Sequence, residues 1–338
     1  MTTIKKIAEV SGFSQATVSR LLKGDTSLSV SEQTRKTIIN TALSLGYDRS
    51  KIKTTIEKIA LLFWMTNQEE LQDLYFHQLR LTIEKYAQEN NLDILTIKHE
   101  DGIQSLPKNI SGFIGVGFFS KEEMRQLKII CPNGVFLEMN SEPEMFDTVK
   151  PDTDRMTRHA IDLFLKKGYE KIGFIGGAYH NPDINLDEID SREVTFRQYL
   201  TQKEKLKEKY VFSGGKFTVK QGYQLTKQMI EQLGDDLPEC IFVASDTIAV
   251  GALQAFNEVG IMIPDRLELI SVNDNDIAKF VSPPLTTFRI DVEELARTSI
   301  DMLVDQLIYP REITKTVLVG AKLIERKSFL FDEKNEIK

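Results

Sequence analysis

Cysteine, histidine and tryptophan are scarce in this chain: two, four and one among 338 residues. Cys131 and Cys240 lie far apart and outside any C-x-x-C pattern. No disulfide framework is expected, and two buried reduced thiols of a cytosolic protein are the simpler reading. The histidines form no H-E-x-x-H or other metal spacing, so no metal site is expected. G-x-S-x-G, P-loop and G-x-G-x-x-G motifs are all missing, so neither an enzyme nor a nucleotide cofactor is expected. No run of 18 apolar residues occurs, which argues against a transmembrane helix. The opening MTTIKKIAEVSG has lysines but no continuous apolar run, unlike a secretory signal, and the expected location is cytoplasmic.

Positive charge is also short overall. The net charge is −7, which taken alone argues against nucleic acid. The average hides an asymmetry: residues 1–60 hold ten Lys and Arg against five acids, so this stretch is +5 and the remainder −12. A basic head on an acidic body suits a small polyanion-binding module on a body that avoids non-specific contact.

Residues 4–45 show helical periodicity in three short bursts. The first (Ile4, Ile7, Ala8) ends at Ser11-Gly12, and the second (Ala16, Val18, Leu21, Leu22) ends at Gly24. The third (Ile38, Ile39, Ala42, Leu43, Leu45) ends at Gly46 and starts at a Ser31 cap. About four residues around Gly12 join the first two, the spacing of a helix-turn-helix. The second helix opens Ser14-Gln15-Ala16-Thr17, short polar and small side chains where such a helix meets base edges. Gln can pair bidentately with adenine, and Ala or a Thr methyl can touch a thymine methyl. Ser14 can equally be a mere cap on a generic three-helix head, and the pattern alone leaves both open.

After residue 58 the period alternates. Strand-length apolar runs at 59–64, 93–98, 112–119, 134–139, 171–177, 240–245 and 267–272 are separated by amphipathic helical patterns, among them 72–90, 153–167, 218–233, 246–259 and 291–308. The expected fold is an all-α helix-turn-helix head followed by an α/β body of two doubly wound parallel-sheet subdomains. GFIGVGFF (112–119) and GFIGGAYHN (173–181) read as strand ends with tight turns.

TIKKIAEVSGFSQATVSRLLKG…VSEQTRKTIINTALSLGY, covering residues 2–47, closely resembles the DNA-binding head of the LacI/GalR family of bacterial repressors. The resemblance continues to about residue 328 through AIDLFLKKGYEKIGFIGG (160–177), ASDTIAVGALQAFNEVGIMIPDRLELISV (244–272) and SPPLTTFRID (282–291). It implies a body like the periplasmic sugar-binding proteins, with a small molecule between two lobes. The implied domains are a helix-turn-helix at 1–47, a short linker at 48–58, an N-subdomain at 59–160 and 291–325, and a C-subdomain at 161–290 and 326–338. In the head it implies base contacts from Gln15 and Ala16, a further DNA contact from Arg20, and supporting roles for Thr3, Ser14, Thr17, Ser19 and Asn40.

For the effector the resemblance points to six residues. Arg192, in SREVTF, matches an arginine that clamps sugar hydroxyls or a carboxylate; it can also be a plain helix-start arginine. Phe217 matches an aromatic that packs on a sugar's C–H face, with core packing the alternative. Asp246 follows a strand and opens a helix, so it can be a cap, a crevice neighbour, or both. Asn273 stands where the family has an acid, and Asp274 beside it can take over that role. Tyr75 is placed at the crevice mouth and Phe76 in the core. Asp152 is a cap first. The segment 178–190 is longer and more acidic than is usual in the family and is expected to add a loop near the crevice.

The function so implied is a homodimeric repressor of a carbohydrate-utilisation operon. It would sit on a pseudo-palindromic operator and be released by a small neutral sugar such as galactose or a galactoside. A corepressor-activated or phosphoprotein-activated regulator of the same fold and a non-regulatory sugar-binding protein are the alternatives. The charged tail ERKSFLFDEKNEIK lacks leucine heptads, which favours a dimer over a tetramer. The linker departs from the family. Asp48-Arg49-Ser50 replaces a Pro-Asn start, only 11 residues separate Tyr47 from Ile59, and Ile52 or Ile56 is the nearest substitute for a hinge leucine that wedges into the minor groove. Thr54-Thr55 are poor helix formers. A reduced or absent hinge helix follows, with Lys51 and Lys53 contacting phosphates.

Overall fold

A computed structural model describes residues 2–25, 27–48, 51–53, 57–65 and 74–331. The chain forms two compact units. Among the described residues, the first comprises the chain from the head through residue 65, Gln78–Lys150 and Val292–Val317; the second comprises residues 74–77, Pro151–Asp291 and the chain from Leu318 to residue 331. The expected boundaries at 160 and 325 therefore fall too late: residues 151–160 and 318–325 belong to the second unit.

The head is three helices, α1 (Ile4–Ser11), α2 (Gln15–Leu22) and α3 (Glu32–Ser44). Each starts on a hydroxyl: the Thr3, Ser14 and Ser31 side chains accept from Lys6 N, Thr17 N and Thr34 N, which satisfies backbone donors that the helix itself leaves unpaired. Gly12, at φ 78°, ends α1 in the left-handed region. Ile7, Val18, Leu21, Leu22, Ile38, Ile39 and Ala42 bury together.

Ile52 joins that cluster and is 0% exposed. The residue expected as a minor-groove wedge is thus a core residue of the head. Its neighbour's backbone reinforces this, for Lys53 N donates to the Leu22 carbonyl at 2.7 Å, at the end of α2. Within the same unit, Asn91 Nδ2 donates to the Ile52 carbonyl and Lys36 of α3 pairs with Glu57 at 3.8 Å. Arg49, Ser50, Thr54, Thr55 and Ile56 lie outside the described residues, so the reduced hinge helix and the alternative wedge Ile56 do as well.

The first unit's sheet is built on β1 (Lys58–Trp64), β2 (Asp93–Lys98), β3 (Gly112–Gly117), β4 (Gly134–Leu137) and β5 (Asp147–Pro151). The helices around them are α4 (Leu74–Glu89) and α5 (Lys121–Ile130). Six of the seven β1 residues are buried. That is why its pattern reads as a continuous apolar run: a central parallel strand has two covered faces.

The second unit continues through α6 (Thr153–Lys166), β6 (Ile172–Gly176), the hairpin β7 (Ala178–Asn181) and β8 (Leu186–Ile189), α7 (Ser191–Gln202), β9 (Val211–Ser213) and α8 (Val219–Leu233). Then come β10 (Cys240–Val243), α9 (Asp246–Glu258), β11 (Glu268–Asn273), α10 (Ile277–Phe280) and β12 (Thr286–Arg289). The chain goes on through α11 (Val292–Ile308), β13 (Thr316–Val319) and β14 (Lys322–Ile324).

The two six-stranded sheets have orders β13-β5-β4-β3-β1-β2 and β14-β12-β11-β10-β6-β9. In each, the strand that opens the sheet lies between the second and third to be added. The order therefore reverses at β1/β3 and at β6/β10, the kind of switch point where doubly wound sheets receive ligands. Asp152 caps α6 as expected, accepting from Arg155 N at 3.0 Å. The long segment after β6 is an antiparallel hairpin rather than a loop. No helix among the described residues is long and apolar enough to cross a membrane.

Candidate DNA-reading head and effector site

The α2 N-terminus presents Ser14, Gln15 and Ala16 as exposed residues, while Val18, Leu21 and Leu22 on its rear face are buried. The period of 3.6 separates the two sets. Ser14 Oγ is shared with Thr17, whose hydroxyl lies 2.9 Å away, so these two organise the turn while Gln15 and Ala16 stay uncommitted on its surface. Arg20 sits one turn further on. Its Nε donates to Asp25 at 2.6 Å and its Nη2 to Ser27 Oγ at 2.9 Å. Hydrogen bonds from Ser27 and then from Arg20 pull the Asp25 carboxyl down to about 2, so this clamp persists across the physiological range. Lys51 is exposed and 3.5 Å from Asp48.

In the second unit the candidate residues gather at the carboxyl ends of the strands. Gly177 and Tyr179 follow β6, Phe217 follows β9, Asp246 follows β10, and Asn273 and Asp274 close β11. Arg192, on the first turn of α7, is brought in by Asp190. That cap accepts from Arg192 N at 2.8 Å and from Nε and Nη2 at 2.6 and 2.8 Å. Nη1 donates to the Ala244 carbonyl at 2.8 Å, at the end of β10, and Nη2 to the Tyr179 hydroxyl at 2.8 Å. Arg192 and Asp190 are 7% and 3% exposed. The arginine fork therefore ties α7 to β10 and to the hairpin; it positions the site's walls rather than presenting a vacant clamp.

Phe217 takes part in the same knot. Its ring stacks on Tyr179 at 4.8 Å and 26°, lies 5.0 Å from the Arg192 guanidinium, and rests on Gly177, where a β-carbon would come within 2.8 Å of the ring. Tyr179 and Asp190 are the functional candidates that sequence reasoning missed. Tyr179 sat in a stretch read as a loop, and Asp190 differs from other acids of that stretch only in its capping position.

Asp246 is not the cap of α9. Ser245 is, accepting from Ile248 N at 3.2 Å. The Asp246 carboxylate, 0% exposed, accepts from the Ser271 hydroxyl of β11, from the Thr287 hydroxyl of β12 at 2.7 Å and from Asn275 N at 2.8 Å. Burial pushes this carboxyl up to about 7 against the pull of those three donors. It is a bolt across three strand ends, enclosed by protein.

Asp274 is equally occupied, accepting from Arg289 Nε at 2.7 Å and Arg326 Nη2 at 2.5 Å. Asn273 differs. It is half-buried, with φ at 115°, and Asp274 follows at φ 59°. Non-glycine residues held in sparsely populated backbone regions recur at ligand clamps, although Asn and Asp also adopt the left-handed region in ordinary turns. Close by, Asn275 Nδ2 is buried without a hydrogen-bond partner among the described residues. Tyr75 is 5% exposed and meets Phe76 edge-on at 5.1 Å, which makes it as buried as the Phe76 that was expected in the core.

A capped helix-turn-helix followed by two doubly wound units, one carrying a polar and aromatic cluster at a switch point, defines a DNA-binding regulator with a small-molecule-binding body. Comparison with known proteins agrees. The model of bacterial regulatory proteins of the lacI family matches residues 3–50, and that of the periplasmic binding protein-like domain matches residues 161–329. The chain is 47% identical over 328 residues to the HTH-type transcriptional regulator GanR of Bacillus subtilis, covering 97% of this chain and 99% of that one. It is 39% identical over 343 residues to the HTH-type transcriptional regulator LacR of Lactobacillus helveticus, covering 99% and 100%. The lac repressor dimer bound to operator and the anti-inducer ONPF shares the fold, with TM-score 0.69 at 21% identity over 97% of this chain and 98% of that chain. The protein belongs to the LacI family and is a DNA-binding transcriptional repressor.

Proposed function

We propose that the protein represses a carbohydrate-utilisation operon, that a neutral sugar, galactose or a galactoside, binds at the strand ends of the second unit, and that binding lowers operator affinity. The observation that carries this reading is the convergence of Phe217, Tyr179 and Asn273 at one end of one sheet. An aromatic ring can meet the apolar C–H face of a sugar, and an amide both donates to and accepts from its hydroxyls. The names of the GanR, LacR and GalR relatives support the sugar class.

In this reading Gln15 and Ala16 touch base edges, and Arg20, Thr3, Ser14, Thr17 and Ser19 set the register on phosphates. Lys51 and Lys53 add phosphate contacts. Two heads of a homodimer occupy successive major-groove half-sites of a near-palindrome. Asp246, Asp274 and Arg192 shape the sugar site through their neighbours. The proposed head and linker lie within the first compact unit, and the proposed subdomains rest on the two units, whose crossings include 150/151, 291/292 and 317/318.

Coupling between sugar and DNA of ~1–3 kcal/mol is typical of such linkage, and operator must weaken sugar binding by the same factor that sugar weakens operator binding. Fluorescence anisotropy on a labelled operator, with and without galactose and galactosides, tests this. Release supports an inducer. Tightening makes the ligand a corepressor, and sugar affinity that is equal on free and operator-bound protein rules the mechanism out.

A further inference from the structure

The β7–β8 hairpin is unlike the rest of the second unit. None of its eight strand residues is buried, and Ile184, Leu186 and Ile189 are 55%, 63% and 60% exposed. A two-stranded ribbon without a core is marginal in water. This one is held at its base by Tyr179, through the Phe217 ring and Arg192.

We propose that the hairpin is a second sugar subsite, and that the effector is an oligosaccharide of at least two rings rather than a free hexose. The inference rests on the sugar-binding role proposed above and extends it outward from the strand ends. Its basis is the register. Tyr179 pairs with Glu188 and Asn181 with Leu186, and directly opposed residues of an antiparallel pair share a face, as do residues two apart on one strand. Tyr179, Asn181, Leu186 and Glu188 therefore form a single face, the one whose first ring stacks on Phe217.

That face has two rungs: Tyr179 beside Glu188 at the base and Asn181 beside the exposed Leu186 further out, tied diagonally by Asn181 Nδ2 donating to Glu188 at 2.6 Å. Successive residues on this face are ~7 Å apart, a spacing comparable with one sugar ring. The polar pair has acceptors and donors left over for hydroxyls: an amide offers two N–H groups and a carbonyl, and a carboxylate offers several lone pairs. His180 and Asp187, 3.3 Å apart, occupy the opposite face and brace the ribbon from behind. Tyr179 is itself half-buried, so its ring joins the strand-end cluster to the open part of the ribbon without a break.

Calorimetric titration of the full chain with galactose, a galactose disaccharide and a galactose trisaccharide tests the inference. The expected result is a disaccharide at least about tenfold tighter than galactose, equivalent to ~1.4 kcal/mol. In the double variant Asn181→Ala/Glu188→Ala that ratio should fall to near one, and continued binding of galactose shows that the variant is folded. Equal affinity for galactose and the disaccharide overturns the subsite while leaving the sugar-binding role in place. An unchanged ratio in the double variant also overturns it. Failure of all three sugars to bind removes the underlying role and the subsite together.

Discussion

Ile52→Ala separates two ways in which the linker could act on DNA. The side chain is 0% exposed and packs with Ile7, Val18, Leu21, Leu22, Ile38 and Ile39. Truncating a fully buried isoleucine costs ~2–5 kcal/mol through lost burial and the cavity left behind. A head of this size has a stability of only about 3–7 kcal/mol, at the usual 0.05–0.15 kcal/mol per residue, so the substitution should bring it to the edge of unfolding. Ile52→Val, at ~0.5–1.5 kcal/mol, should sit between it and the wild type. Amide hydrogen exchange resolved along the chain gives the stability of the head, and anisotropy gives operator affinity. The two should fall together across the series, with the body's protection unchanged. A head that keeps its protection while Ile52→Ala abolishes operator binding and a DNA bend would refute the core assignment and restore the minor-groove wedge.

Three further outcomes follow from named contacts. Gln15→Ala should weaken operator binding by ~1–3 kcal/mol and relax preference at one base pair, with unchanged thermal unfolding because Gln15 is exposed; a selection from randomised operators reads this directly. Arg192→Lys keeps the charge but loses the fork, leaving Asp190 buried without its bidentate partner, and should destabilise the second unit by ~3–5 kcal/mol, measured by chemical denaturation. Asp246 has a folded-state value raised to about 7 from an ordinary value near 3.8, so between those limits the folded state binds the extra proton. Its contribution to stability is therefore fully favourable below pH ~4 and is lost as pH rises to ~7, at up to about 1.4 kcal/mol per pH unit. Subtracting the unfolding profile of Asp246→Asn should isolate that slope, and identical profiles would contradict it.

The parts of the fold that were readable from sequence were those with one dominant signal. KIALLFW and CIFV are strands covered on both faces, so burial and composition agree. Ser31 caps α3 as its place before a periodic run predicts; Ser14, left open by the pattern, and Thr3, expected only at DNA, cap α2 and α1. What escaped was structure whose stabilisation comes from distant partners. TTFR (286–289) reads as polar, yet it is a buried strand because the Thr287 hydroxyl donates to Asp246 and the Thr286 hydroxyl accepts from Arg326 N. Helix α5 has no counterpart among the helical patterns read from sequence, and α7, expected as the helix that Arg192 starts, carries charged residues, Arg192 and Glu193, on its buried side. Of the candidate site, Arg192 and Phe217 meet and Asn273 closes β11 at the same end of the sheet, while Arg192, Asp246 and Asp274 are held by protein partners. Composition identifies a carboxylate and cannot say who holds it. Ile52 misled for a similar reason: a hinge leucine and a core isoleucine look alike until the neighbours are known.

The bond from Lys53 N to the Leu22 carbonyl also sets a length. From residue 53 to the start of β1 at Lys58 there are five Cα steps, which fully extended span at most ~17 Å. A leash of that reach can match a few base pairs of added length but cannot also carry a head round the duplex. Five base pairs inserted between half-sites add ~17 Å along the axis and, with about 10 base pairs per turn, turn one site to the opposite side of the duplex. The bodies, not the linkers, would thus fix the span the protein can read, and its operators should form a class of nearly constant spacing even where their sequences drift.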